Sequence, residues 1–446
     1  MSNVLILGAG PGGFDAALYA ASHGLSVTLI EAHKVGGTCL NYGCIPTKAL
    51  YQNAKMIHHI NQAKTFGVNA PAYTLDYEAI KTRKETIVDG QIKAIHTSLK
   101  KAGVNLVEGY GELIDSKTVR VNDKDYTADH IVLATGSKAK TLTFPGSDLP
   151  IIHTSKSILE LNHFPKKLLV VGAGVIGTEM AQIFQAFGAQ VTLIDFMDDI
   201  LMTEDADIRK RARNLFKRSG IDIHLNASLK EVVQSNETYS ARFETKKGIQ
   251  SIETDAVLLA VGRQANTNGL NLDTLNIDYT HQGVTVNANK QTSLDSVYAI
   301  GDLNGEMMLA HKATYDGYRA INHMLNKKDT IRFDLVPSVI FSTPLIASVG
   351  KREDECNEDV ITVKALFKAN AKAIAMDDTD GFIKLIASQD RKLIGAHIIG
   401  NSADALIHEL TALIQTHQTI DQAYDLIHAH PTVSETIHDA LKQMKN

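Results

Sequence analysis

Cys39 and Cys44 are the residues best suited to chemistry. They are two of the three cysteines in a chain of 446 residues, set in GGTCLNYGCIPTKAL from Gly36 to Leu50. On an ideal helix a pair five positions apart lies roughly 8–9 Å apart at Cα, whereas a disulfide needs less than about 7 Å. A bridge therefore requires a distorted helix start, and Gly36, Gly37, Gly43 and Pro46 are residue types that permit one. A strained, accessible bridge of this kind exchanges with thiols rather than stapling a fold. Two unpaired buried cysteines are the other reading of the same spacing, because free Cys is a common small core residue.

The chain closes in IHAHPTVSETIHDALK, where His428 and His430 flank Ala429 and Glu435 follows His430 by five positions. A helix starting soon after Pro431-Thr432 would hold Glu435 near enough to orient an imidazole, and a His–carboxylate pair is a natural general base. Two histidines in H-x-H also suit a metal, but no further ligand cluster accompanies them, and a lone histidine is more often structural.

These groups need elements to position them, and two stretches supply the same device. Asn3 to Glu31 reads as strand, glycine-rich turn, helix, strand, with Gly8, Gly10 and Gly13 forming G-x-G-x-x-G. The first glycine allows the tight turn, the second lets backbone approach a pyrophosphate, and the third lets helix and strand pack closely. The phosphates then sit at a helix N-terminus. Glu31 lies 23 positions after Gly8, where a carboxylate accepts ribose hydroxyls. Lys167 to Asp195 repeats the pattern with Gly172, Gly174 and Gly177, and Asp195 again lies 23 positions after the first glycine. Two dinucleotide sites in one chain suggest two cofactors that meet. Asp195 is followed by Phe-Met-Asp-Asp, with no arginine for a ribose 2′-phosphate, which favours NAD over NADP.

The length predicts several domains. A hydrophobic content of 44%, 21% charged residues and a net charge of −5 describe an ordinary soluble globular protein. No basic run points to nucleic acid and no apolar run is long enough to span a membrane. The N-terminus enters a strand pattern (VLILGAG) at once, so no secretory signal is expected. Three cysteines in so long a chain suit a reducing, cytoplasmic compartment with one catalytic pair. Cys356, in KREDECNEDV, reads as a bystander.

GGTCLNYGCIPTK closely resembles the redox-active disulfide segment of the class I pyridine nucleotide-disulfide oxidoreductases, and similar blocks recur over nearly the whole chain. The resemblance implies an α/β protein with two Rossmann-like dinucleotide-binding domains, for FAD and NAD, plus a C-terminal α+β dimerisation domain. The expected division is 1–140 for the first part of the FAD-binding domain with the redox disulfide, 141–266 for the NAD-binding domain, 267–330 for the return to the FAD domain, and 331–446 for the interface domain. FAD is expected on Gly8, Gly10, Gly13, Glu31 and Lys48, on Gly136 and Ser137 of IVLATGS, on Asp302 of YAIGD, and on Ala310 of LAHKA. NAD is expected on Gly172, Gly174, Gly177, Glu179, Asp195 and, in the A-x-G-R stretch, Gly262. Lys48 and Glu179 match positions that form an ion pair near the flavin.

The resemblance makes Cys39 and Cys44 the redox disulfide, His430 the acid–base and Glu435 the group that positions it. It further implies a homodimer in which His430 reaches the disulfide of the other subunit. GCIPTKAL, LAHKA and HAHPTVSE lean to the branch that oxidises dihydrolipoamide, with lipoyl domains of 2-oxoacid dehydrogenase complexes as partners. The alternative is an NAD(P)H-dependent reductase of another small disulfide, as in the glutathione branch, whose members usually carry lysine where Thr47 stands. Two departures stand out: no proline follows Ser137, and Leu345 replaces the glutamate usual after Pro344.

Overall fold

The computed structural model describes residues 2–445. Two five-stranded parallel sheets are built alike. In the first, the strands run in the order Val297–Ala299, His130–Leu133, Asn3–Leu7, Ser26–Glu31, Asn105–Glu108. In the second the order is Asp222–Leu225, Gln190–Asp195, Lys167–Val171, Ala256–Leu259, Ile152–Thr154. The opening strand of each glycine motif lies at the centre, with the next strand of the motif on one side and a much later strand on the other. Such a switch point leaves a crevice at the strand C-termini, and there the glycine turns emerge. Both faces of these sheets are covered, which is why the central strands are apolar without alternation; Leu168, Leu169 and Val170 are all buried.

The chain leaves the first sheet through Ser137–Ala139 and comes back through Arg263–Ala265, and these two strands pair antiparallel. Val297–Ala299 then completes the first sheet beside His130–Leu133. A third, antiparallel sheet has the order Ser338–Ile340, Ile346–Gly350, Leu393–Ile399, Phe382–Ala387, Ile361–Leu366. The helices Ala403–Gln415 and Glu435–Lys445 contribute Leu406, Ile407, Leu410, Ile437 and Leu441 to the core shared with this sheet. The architecture is thus the expected one of two Rossmann-like units and an α+β unit. Leu345 is buried in this core, so the departure at that position exchanges a polar contact for apolar packing. Cys356 places its Sγ 3.3 Å from the Arg352 carbonyl oxygen, away from the other cysteines.

A buried ion cluster joins the third sheet to the second module. Lys384, 1% exposed, donates to both carboxylate oxygens of Asp205 at 2.9 Å, to Asp207 at 2.8 Å and to Glu353 at 2.5 Å. Burial opposes the ammonium charge, but Asp207, Glu353 and Asp205 together raise its pKa. Removing one member of a buried pair strands the other charge, at a cost of about 3–5 kcal/mol. Lys384→Met is therefore expected to destabilise the protein by that amount in chemical denaturation, whereas Lys364→Met, whose ammonium is more exposed beside Asp207, should cost under about 1 kcal/mol.

Candidate active site

The helix carrying the cysteines is broken between them. Gly37–Tyr42 ends at Gly43 (φ −143°, ψ −109°), and Cys44–Gln62 begins anew. The segment is entered through Gly36 (φ +88°) and Gly37 (φ +55°), a left-handed turn that glycine adopts readily. A methyl group on Gly37 would lie 2.7 Å from the Gly10 Cα. The cysteine segment therefore rests backbone to backbone on the first dinucleotide turn, and Gly36 N–H donates to the Ala9 carbonyl at 2.7 Å.

The break leaves both sulfurs partly buried and close enough to perturb one another, and their environments differ. The Cys39 thiol donating to Cys44 lowers the Cys44 pKa to about 7 from its ordinary 9.0; the Lys48 ammonium helps, while burial and Glu179 oppose. The same hydrogen bond, with burial, pushes Cys39 up. Cys44 is thus the more acidic sulfur of the pair. Because Cys44 is charged above about pH 7 and protonated below it, its alkylation in the reduced protein is expected to rise through that pH and level off above. In Lys48→Met the midpoint should move upward, toward the ordinary value, as read by iodoacetamide labelling against pH with mass-spectrometric assignment.

Lys48 donates to both Glu179 oxygens, at 3.1 and 2.9 Å, across the two modules. Glu179 also accepts from the Phe341 N–H at 2.8 Å, and the Lys48 ammonium lies 4.4 Å from the centre of the Phe341 ring. Phe341 went unread in the sequence because its part is played by a backbone N–H and a ring face, which have no sequence signature.

The glycine turns match atom for atom. A Cβ on Gly13 would meet the Gly8 oxygen at 1.8 Å, and one on Gly177 would meet the Gly172 oxygen at 1.8 Å, so the third glycine is required by helix–strand packing. The second glycine is different. A Cβ on Gly10 would meet nothing closer than 3.9 Å and one on Gly174 nothing within 4 Å. The protein itself does not need glycine there; the open space lies where a pyrophosphate would approach. Glu31 accepts from Ala9 N–H at 2.7 Å, and Asp195 accepts from Ala173 N–H at 2.5 Å. Each acid thus braces its own turn, and a cavity of about 210 Å³ opens beside Glu31, lined also by His33, Val35 and Leu106. Four positions after Asp195, Asp199 holds Arg213 at 2.5 Å.

Gly136 (φ +69°) has open space on its Cβ side, and the Ser137 hydroxyl donates to Asp302, joining two expected cofactor contacts. Ala310 opens the helix Ala310–Met324, whose N-terminus has no side-chain cap. Gly262 takes φ +101° before Arg263.

The His430 Nδ1 lies 2.9 Å from Glu435 Oε1, and the Thr432 N–H donates to Oε2 at 2.8 Å. These hydrogen bonds, from Thr432 first and His430 second, hold the Glu435 carboxyl below its usual range. An ionised carboxylate only accepts, so Nδ1 is the donor of this hydrogen bond and Nε2 is the ring nitrogen left to exchange a proton. The His430 side chain is 74% exposed, and none of its hydrogen-bond partners among the described residues comes from the cysteine segment. Ile427, three positions earlier, is fully exposed. His428 is held by Glu409 at 2.9 Å, a partner that sequence reading missed because it lies 19 positions away, on the helix Ala403–Gln415. Among the described residues no group of three or more His, Cys, Asp or Glu side chains is placed to hold a metal.

Paired dinucleotide turns with a dithiol packed on one of them define a nucleotide-linked thiol–disulfide oxidoreductase. The chain belongs to the pyridine nucleotide-disulphide oxidoreductases: that family's model matches residues 2–317, and its dimerisation domain matches residues 336–441. The chain is similar to dihydrolipoyl dehydrogenase from Chlamydia pneumoniae, 37% identical over 440 residues that cover 97% of this chain and 94% of the relative. A mitochondrial dihydrolipoyl dehydrogenase from Pisum sativum is 36% identical, covering 98% of this chain and 90% of the relative. Among solved structures, LpdA from Mycobacterium tuberculosis superimposes with a TM-score of 0.92 at 26% identity, covering all of both chains. The HOCl-induced flavoprotein disulfide reductase RclA from Escherichia coli gives a TM-score of 0.88 at 26% identity, covering 99% of each.

Proposed function

We propose that this protein oxidises dihydrolipoamide, carried on lipoyl domains, to lipoamide and reduces NAD⁺ to NADH. The observation that carries this reading is the packing of Cys39 and Cys44, on either side of the helix break at Gly43, against the first dinucleotide turn. FAD suits that turn, with Gly10 leaving room for the pyrophosphate and with Ser137 hydrogen-bonded to Asp302; NAD suits the turn of Gly172, Gly174 and Gly177. When bound, FAD supplies the two-electron exchange between the dithiol and the nicotinamide.

The protein's own residues account for the thiol chemistry. One substrate thiolate attacks Cys39 Sγ of the disulfide, forming a mixed disulfide and breaking the Cys39–Cys44 bond. Cys44 departs as the thiolate because the lower-pKa sulfur leaves faster. The second substrate thiol then attacks the substrate sulfur of the mixed disulfide, its proton passing to Cys39 as that sulfur leaves, so that cyclic lipoamide is released and Cys39 remains as the thiol. His430 takes the proton of the first substrate thiol on Nε2, Glu435 holding the ring. The high exposure of His430 and the bare Ile427 beside it support a homodimer in which His430 of the partner subunit completes the site.

A second reading, reduction of another small disulfide, is favoured by the likeness to RclA. NADH formation from NAD⁺ and dihydrolipoamide by the flavin-loaded protein decides between them. Fast turnover supports the proposal. Slow turnover, with rapid NADH oxidation by another small disulfide, overturns the substrate and keeps the chemistry.

A further inference from the structure

The A-x-G-R stretch contributes Gly262 to the expected nucleotide contacts, but its arginine has a distinct place. Arg263 begins the strand by which the chain re-enters the first module. Its Nε donates to Ser137 Oγ at 2.7 Å, and its Nη2 donates to the Ser137 carbonyl at 2.7 Å. The Ser137 hydroxyl, accepting from Arg263, is left with its proton to give, and gives it to Asp302 Oδ2. That oxygen also lies 3.8 Å from Arg263 Nε, and the arginine side chain is only 16% exposed. The carboxylate that Arg263 faces is Asp302.

We propose that Arg263 is a positioning residue: from the exit strand of the second module it fixes the Ser137 hydroxyl and the Asp302 carboxylate in the geometry that receives the flavin cofactor. The inference rests on the reading of FAD at the first module. With Oδ2 committed to Ser137, Oδ1 takes no hydrogen bond from a described residue and is the oxygen left for a ligand hydroxyl. Two donors of a planar fork act on one residue at once, which a lysine ammonium reproduces only in part. Because Arg263–Ala265 and Ser137–Ala139 are the two crossings between modules, the same fork ties the seating of the second module to the cofactor contacts of the first.

The test is FAD titration of the flavin-stripped full-length protein, with melting temperatures for the stripped and loaded forms. Arg263→Met is expected to weaken FAD at least tenfold and to lower the melting temperature of the loaded form more than that of the stripped form. Arg263→Lys should recover part of the affinity. Should Arg263→Met fail to fold, Arg263→Lys combined with Ser137→Ala answers the same question: a loss smaller than the sum of the single losses supports the shared fork, and an additive loss overturns it. Unchanged FAD affinity in Arg263→Met, or equal melting losses with and without FAD, overturns the positioning role alone. A wild-type protein that takes up no FAD overturns the flavin reading and this inference together.

Discussion

Cys44→Ser is expected to lose at least ~10³-fold in NADH formation, since groups that act as a unit fail together when one is removed. A serine hydroxyl forms no disulfide, so Cys39 has no partner with which to cycle. The dinucleotide turn should be untouched, because its contact with the cysteine segment runs through Gly36 and Gly37 backbone rather than through the sulfur. The variant should therefore remain flavin-bound and folded while inactive, as absorbance and steady-state assays would show. Cys39→Ser should be equally inactive but differ in one measurable way. Cys44 then loses the thiol hydrogen bond that contributes most to lowering its pKa to about 7. Exchanging that thiol for a differently placed hydroxyl should move the alkylation midpoint upward, and an unmoved midpoint would show that Lys48 alone supports the thiolate.

His430→Gln is expected to lower turnover by about 10²–10⁴-fold, the range for a positioned general base, with little change in FAD content. Glu435→Gln should also lose activity, because an amide can donate to Nδ1 and so move the proton to Nε2, where the base is needed. Glu435 itself, held below the usual carboxylate range by Thr432 and His430, stays ionised wherever the thiol chemistry runs. Any loss on acidification thus comes from the imidazole or the thiolate rather than from this carboxyl. Mixing Cys44→Ser with His430→Gln subunits tests the shared site directly. If Cys44 and His430 meet across a two-fold interface, each heterodimer holds one intact site, and random mixing restores about a quarter of wild-type activity. If they meet within one chain, mixing restores nothing.

Much of the site was legible because its chemistry is written in residues close in sequence. The glycine triads with an acid 23 positions on, the cysteine pair within a glycine-rich stretch, and His430 with Glu435 are all local patterns. Arg263 was visible in its motif yet lacked a partner, since Ser137 lies 126 positions earlier. Glu409 and Phe341 carried no signal, because one is an ordinary helix glutamate and the other acts partly through its backbone.

From the sequence alone came the class of chemistry, since residue types and local spacings determine which atoms can accept a phosphate, form a disulfide or take a proton. Only the tertiary structure supplied the physical reason that Cys44 is the more acidic sulfur. That depends on a helix break at Gly43, on Lys48 within reach, and on burial that opposes it, all set by packing between segments far apart in the chain. The fork of Arg263 on Ser137 and the grip of Glu179 on Lys48 arise the same way: each joins two modules, and a contact between modules has no period or spacing in sequence to reveal it.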